Sequence, residues 1–133
     1  MNTLQRVVLQ QRIVDGAGEF LLFAVTPPRL STGPEQVIEI GAKTLERLRR
    51  IEIDGLVLYD IDDESDRNPA DRPFPFLPTM DPAEYLARGL ADLDVPAIVY
   101  RAVGKYAEAD LRSWLQAQRG CPIRRGTLTA VVV

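Results

Sequence analysis

The chain has 133 residues, 46% hydrophobic and 26% charged, with a formal net charge of −3 at pH 7; this length predicts a single domain over residues 1–133, and the charge is too acidic for a nucleic-acid partner. There is no histidine and one cysteine, Cys121, which excludes a Ser-His-Asp or Cys-His triad within the chain, removes the usual zinc ligands and leaves no internal disulfide, as suits the reducing cytoplasm. No apolar stretch approaches the roughly 20 residues that span a bilayer, and Met1–Leu9 lacks the apolar core of a signal peptide, so no membrane partner is expected.

The segment Thr3–Ile13 reads as a short helix, with Thr3 as N-cap and Leu4, Val7 and Val8 near one face. Gly16 and Gly18 break it. A hairpin pairing Val7–Val14 with Phe20–Val25 across Asp15-Gly16 is the rival reading, disfavoured because the loop is too long for a tight turn. Phe20–Val25 is a continuous apolar run, as in a strand buried on both faces of a parallel sheet, and Pro27-Pro28 stops it. Pro34–Arg50 is the clearest helix. Pro34 and Glu35 suit its first turn, Val37, Ile38, Gly41, Leu45 and Leu48 form its apolar stripe, and Glu39, Lys43, Glu46, Arg47 and Arg50 are expected in solvent.

Gly55–Tyr59 is the second buried strand, followed by a long polar and proline-rich loop, Ile61–Met80, of the kind that is usually functional or disordered. The next helix starts at Asp81 as N-cap, with Pro82 at N1 and Glu84 at N3 in a capping-box pattern, and buries Leu86, Leu90 and Leu93. Ala97–Tyr100 is the third strand. Lys105–Gln118 is a helix with Leu111, Trp114 and Leu115 inward, closed by Gly120, and Thr127–Val133 is a fourth strand.

Strands separated by single helices imply parallel pairing. The predicted fold class is α/β: a partial (β/α)8 TIM-type barrel of about three and a half βα units, the N-terminal half of a barrel that takes eight such units to close. The uncovered run Val131–Val133 is expected to leave an open sheet edge through which the chain forms homo-oligomers.

In parallel α/β folds ligands bind beyond the C-terminal ends of the strands. That rule selects Thr26 after strand one, Tyr59, Asp60 and Asp62 after strand two, and Tyr100, Arg101 and Lys105 at strand three. Asp60-Ile61-Asp62-Asp63-Glu64 has the hard oxygen donors of a divalent-cation site but not the spacing of a calcium loop; a solvated loop neutralising Arg67 and Arg72 accounts for it as well, and no metal site is assigned. Arg101 and Lys105 suit a phosphate or carboxylate, or an ordinary surface ion pair. Tyr59 and Tyr100 suit stacking on a planar ligand, or packing with satisfied hydroxyls. Pro73–Pro78 has the form of a PxxP ligand, although its two phenylalanines equally suit anchoring the loop. Nothing in sequence near Cys121 suggests an activated thiolate.

Phe23-Ala24-Val25-Thr26-Pro27-Pro28, followed by Arg29, resembles the first strand of methylenetetrahydrofolate reductases, approximately Phe-Glu-Phe-Phe-Pro-Pro and then a basic residue. The order of elements over most of residues 18–120 is also similar. The resemblance implies a (β/α)8 barrel that holds FAD and passes a hydride from NAD(P)H to a folate substrate. This chain would supply the first three units and the start of the fourth strand, and would bind no FAD by itself. Ala24 stands where the family has its strand-one acid, Tyr59-Asp60-Ile61 where it has a Thr-Tyr-Gly type sequence, and the third-strand histidine is absent. No catalytic residue is therefore carried over. The main expectation is an inactive N-terminal portion of such a flavoprotein; the alternative is a non-catalytic half-barrel that self-associates and binds a small anion or metal.

Overall fold

The computed structural model describes residues 3–16, 18–61, 77–120 and 127–132. Helix α1 (Thr3–Asp15) precedes β1 (Leu22–Val25), α2 (Pro34–Leu48), β2 (Gly55–Leu58), α3 (Pro82–Arg88), β3 (Ala97–Ala102), a single 3-10 turn (Val103–Lys105), α4 (Glu108–Gly120) and β4 (Thr127–Val132). The strands form one sheet in the order β1-β2-β3-β4, with every neighbouring pair parallel. Right-handed crossovers between parallel strands all wind the same way, so an order that never reverses places the connecting helices on one face. A doubly wound sheet reverses its order and carries helices on both faces. The topology is therefore that of a partial (β/α) barrel that does not close.

Side-chain alternation divides the sheet. Leu56, Leu58, Ala97 and Val99 enter one core with Val37, Leu45 and Leu48 of α2 and Ala83, Tyr85 and Leu86 of α3. The opposite, inward face carries Ala24 and Val57, which are register partners, then Ile98, the partner of Val57, and Tyr100. α1 docks at the N-terminal end of this inward face. A Cβ at Gly55 would come within 2.8 Å of Leu9 Cδ2 and 3.1 Å of Leu22 Cδ2, and Leu9 is buried. Arg12 pairs with Asp54 at 3.2 Å, and Asp54 accepts a 2.7 Å hydrogen bond from the Leu21 amide.

α1 is a helix, as expected, and ends two residues later than Ile13; its proposed N-cap and the stripe Leu4, Val7 and Val8 lie outside the described side chains. β1 is shorter than Phe20–Val25 and is not buried on both faces: Phe23 is 44% exposed because β1 is an edge strand with one partner. In α2 the buried residues are Val37, Gly41, Leu45 and Leu48, whereas Ile38 is 58% exposed. A residue one step along a helix turns by about 100°, which takes Ile38 off the stripe that Val37 anchors. Lys43 and Arg50 form the solvent-facing i,i+4 pairs with Glu39 and Glu46.

α3 begins as predicted, with the Asp81 carboxylate accepting from the amides of Ala83 at 2.7 Å and Glu84 at 3.2 Å. Glu84 turns to Arg88, 2.6 Å away, so the cap is the Asp81 half of a capping box. The helix stops at Arg88, with Gly89 as its C-cap; Leu90 and Leu93 follow it in the chain yet remain buried. β3 runs two residues beyond Tyr100, and α4 starts three residues after Lys105 because Tyr106 adopts an extended backbone. Leu111, Trp114 and Leu115 are half-buried, with Trp114 packed against the main core.

The strand-two loop is pinned where it returns. Thr79 bridges Arg29, the Leu30 amide donates to the Pro78 carbonyl at 3.0 Å, and the Met80 amide donates to the Pro28 carbonyl at 2.9 Å. Its middle, with Asp62, Asp63, Glu64, Arg67, Arg72 and the Pro73–Phe76 part of the PxxP motif, lies outside the described residues, as does Cys121.

α2 and α3 cross with backbone against backbone, and a Cβ on Gly41 would collide with the Gly89 carbonyl. Gly41→Ala is expected to destabilise the fold by on the order of 3 kcal/mol in chemical denaturation. Gly33→Ala, where nothing lies within 4 Å of the new methyl, should change stability by only ~0.5 kcal/mol; equal effects would show that the crossing is not as tight as described.

Candidate ligand-binding site

The C-terminal ends of β2 and β3 hold a charged cluster on the helix side of the sheet and an aromatic pair on the inward side. Asp60 is the centre of the first. Its carboxylate is 1% exposed and accepts hydrogen bonds from the Ala102 amide at 3.0 Å and from Lys105 Nζ at 2.8 Å. Lys105 also donates to the Ile61 carbonyl at 2.9 Å. A carboxylate withdrawn from water needs this many partners to stay charged.

Arg101 extends the cluster to two helices. Its guanidinium donates to Asp81 Oδ2 at 2.6 Å and to the Tyr106 hydroxyl oxygen at 2.8 Å, and it lies 3.9 Å from the centroid of the Trp114 ring, a cation–π contact in a dry setting. Asp81 thus serves two ends: Oδ1 caps α3 and Oδ2 holds Arg101. The Arg101 Nε is buried without a partner. Burial, and then the hydrogen bond to Asp60 that only the neutral phenol can donate, push the Tyr106 hydroxyl up to about 12, against the opposing pull of Arg101.

On the inward side, Tyr59 and Tyr100 meet edge to face with ring centroids 5.6 Å apart. Tyr59 remains 40% exposed and Tyr100 is partly buried, so the pair offers an open aromatic surface at the strand ends. Ala24 shares that face through its register with Val57, and Thr26 is exposed just past β1.

The seven residues selected from sequence therefore fall into three groups. Tyr59, Tyr100 and Thr26 are at the inward mouth or its rim. Asp60, Arg101 and Lys105 come together, but each charge is held by a protein partner, and Arg101 is a buried ion pair rather than a surface one. Asp62 lies outside the described residues. Among the described residues no three His, Cys, Asp or Glu side chains gather as a metal ion would require. The contributions of Asp81 and Trp114 were read only as a helix cap and a core residue. Asp81 lies twenty residues before Arg101 in sequence, and no local signal pairs them.

No protein-family profile matches the chain, and no functionally curated protein matches it. A solved structure is similar: an uncharacterized protein from Clostridium thermocellum that binds two copies of 5-methyl-5,6,7,8-tetrahydrofolic acid, with a TM-score of 0.63 and 33% sequence identity. The similarity covers 80% of this chain and 33% of that chain, so this chain spans about a third of its relative's length. No helix among the described residues is long and apolar enough to cross a membrane.

A phenol that is harder to ionise in the fold than in the unfolded chain contributes stability below the ordinary tyrosine value of about 10. That contribution is lost as the pH rises through the window from there to about 12. Chemical denaturation across that window should show the wild-type chain weakening with pH and Tyr106→Phe weakening less steeply. Identical slopes would mean that Tyr106 titrates normally. Tyr85, also raised by burial, leaves a residual slope in both proteins.

Proposed function

We propose that the chain is a non-catalytic half-barrel that binds a folate derivative at the inward ends of β1, β2 and β3. The observation that carries this reading is the open Tyr59–Tyr100 pair at the ligand end of a parallel sheet. The 33% identical relative that binds a tetrahydrofolate indicates which planar ligand to test. Binding without catalysis is favoured by the chemistry left at the mouth. Ala24, on the inward face, has no proton to give, and among the described residues at the strand ends the acid Asp60 and the base Lys105 are paired with each other.

The second reading is the N-terminal part of a methylenetetrahydrofolate reductase-like flavoprotein, favoured by the strand Phe23–Val25 running into Pro27-Pro28. The diphosphate of FAD would call for cations at the strand ends; Arg101 and Lys105 are both committed to carboxylates, which leaves the exposed Arg29 after β1 for that role. Self-association goes with the half-barrel reading, since β1 and β4 each have one open edge and Leu21 and Phe23 beside the first are exposed.

Calorimetric titration of the 133-residue chain with 5-methyltetrahydrofolate should give saturable binding in the micromolar range, and Tyr59→Ala should weaken it by about tenfold, the loss of one ring contact. No heat at several hundred micromolar ligand would sink the folate reading; comparable affinity for FAD would move the assignment to the flavoprotein. Sedimentation velocity of the same sample should show a dimer or larger species, and a monomer at all concentrations would remove self-association from the proposal.

A further inference from the structure

We infer that β1 and the adjoining flank of α2 form the surface through which two copies of this chain pair, with their β1 strands antiparallel about a twofold axis at Phe23; the inference rests on the self-association named above and specifies its surface. β1 is an edge strand. The Val25 carbonyl accepts from the Tyr59 amide at 3.1 Å, and backbone groups alternate in direction along a strand. Phe23 and Val25 therefore bond to β2, and the N–H and C=O of Leu22 and Ala24 point out of the sheet. An antiparallel copy uses all four groups, with Leu22 facing Ala24 of the second copy and Ala24 facing its Leu22. The two Phe23 side chains then oppose each other as a non-hydrogen-bonded pair, the closer kind. They meet on the helix side, where Phe23 is the register partner of the buried Leu56. Leu21 and Phe23 are 58% and 44% exposed in a single copy, and Pro27-Pro28 ends the ladder.

The flank of α2 supplies the rest of the contact. Gly41 marks the line along which α2 meets α3. At about 100° per residue, Ile40 and Thr44 lie on one side of that line, and Glu35, Ile38 and Arg49 on the other. The first side is covered, with Ile40 and Thr44 half-buried; the second is bare, with Glu35, Ile38 and Arg49 exposed. The covered side looks toward α3 and β3, so the bare one overhangs the open edge of β1. α2 shares its core with Val25, Leu56 and Leu58 of β1 and β2. A copy joined at β1 thus sets the two α2 helices about two strand spacings apart, roughly 10 Å, which is the distance of packed helices. They run antiparallel. Glu35 in the first turn of one helix then lies toward Arg49 at the C-cap of the other, and the reverse. A flank with opposite charges at its two ends is complementary to itself under a twofold axis, as an isologous contact requires, and this selects a second copy as the occupant.

Cross-linking at the axis tests the geometry. In a Cys121→Ser background, Phe23→Cys should form a disulfide-linked dimer on mild oxidation, because opposed non-hydrogen-bonded positions bring the two Cβ atoms close enough to bridge. Phe23→Lys, a charge on an edge strand, should raise the dimer dissociation constant in sedimentation by about tenfold or more while far-UV circular dichroism stays unchanged. Glu35→Arg or Arg49→Glu alone should weaken the dimer about threefold, and the two together should restore it. A dimer that neither cross-links through position 23 nor responds to Phe23→Lys overturns this surface and leaves self-association standing. Closure of β1 on β4 of the second copy would give that result, since it puts the two Phe23 positions on opposite sides of a ring. A chain that stays monomeric removes both. Neither experiment reads ligand affinity, so the folate assignment stands or falls separately. If Phe23→Lys fails to fold, the cross-link alone decides.

Discussion

The carboxylate of Asp60 sits at the end of β2 with almost no access to water, and the upper half of the structure is arranged around satisfying its oxygens. Its donors come from the backbone of β3 at Ala102 and from Lys105 in the turn after β3. Supplying the amide of Ala102 requires β3 to run on past Tyr100. Supplying Lys105 requires the chain to turn tightly, and Tyr106 then extends, which delays the start of α4. β3 itself runs on through Ala102 by pairing with β4, and the turn that follows brings Lys105 to the Asp60 carboxylate. Such clusters contribute less to net stability than their number of contacts suggests, because desolvation offsets much of the attraction. Their geometric demands are nonetheless strict, and they fix how β2, β3 and the following turn sit together.

Arg101 carries the same constraint outward. Through Asp81 it reaches the first turn of α3, and through its cation–π contact it reaches α4. A single guanidinium therefore joins the strand to both helices that flank it. The rest of the helix layer is held by apolar packing and by the direct contact of the α2 and α3 backbones at Gly41 and Gly89. At the other end of the sheet α1 covers Gly55 and is tied to Asp54 through Arg12. One consequence matters for function: among the described residues Asp60, Arg101 and Lys105 are engaged on the helix side, and the inward face at the strand ends carries Tyr59, Tyr100 and Ala24.

A barrel mouth that performs acid–base chemistry needs a titratable group facing the ligand with a pKa near the working pH. Here the strand-one position holds alanine and the strand-two acid is neutralised behind the sheet. Among the described residues of the inward face, the aromatic surface of Tyr59 and Tyr100 remains. The relative that binds two copies of 5-methyl-5,6,7,8-tetrahydrofolic acid is about three times longer than the region it shares with this chain.

Much of the architecture was legible from residue order. Apolar runs at Phe23, Leu56 and Val99, the first two followed by proline-opened helices at Pro34 and Pro82 and the third by α4, determine a parallel sheet with helices between its strands, because only a crossover can join parallel neighbours. The Asp81 cap and the stripe of Val37, Leu45 and Leu48 are local patterns, and local patterns are what a sequence displays. The roles of Arg101, Asp60 and Lys105 were not legible in this way. Ending β3 at Tyr100 makes Arg101 a rim residue, whereas two further residues of strand make it a helix-side residue, since each step along a strand changes the face. What adds those two residues is the parallel pairing of Arg101 and Ala102 with Val131 and Val132 of β4, and the Ala102 amide also donates to Asp60, forty-two positions away. The sequence alone determined which elements form and in what order. Only the tertiary structure decided which charges are consumed by one another and which side chains are left for a ligand, because that depends on contacts between segments that no local pattern connects.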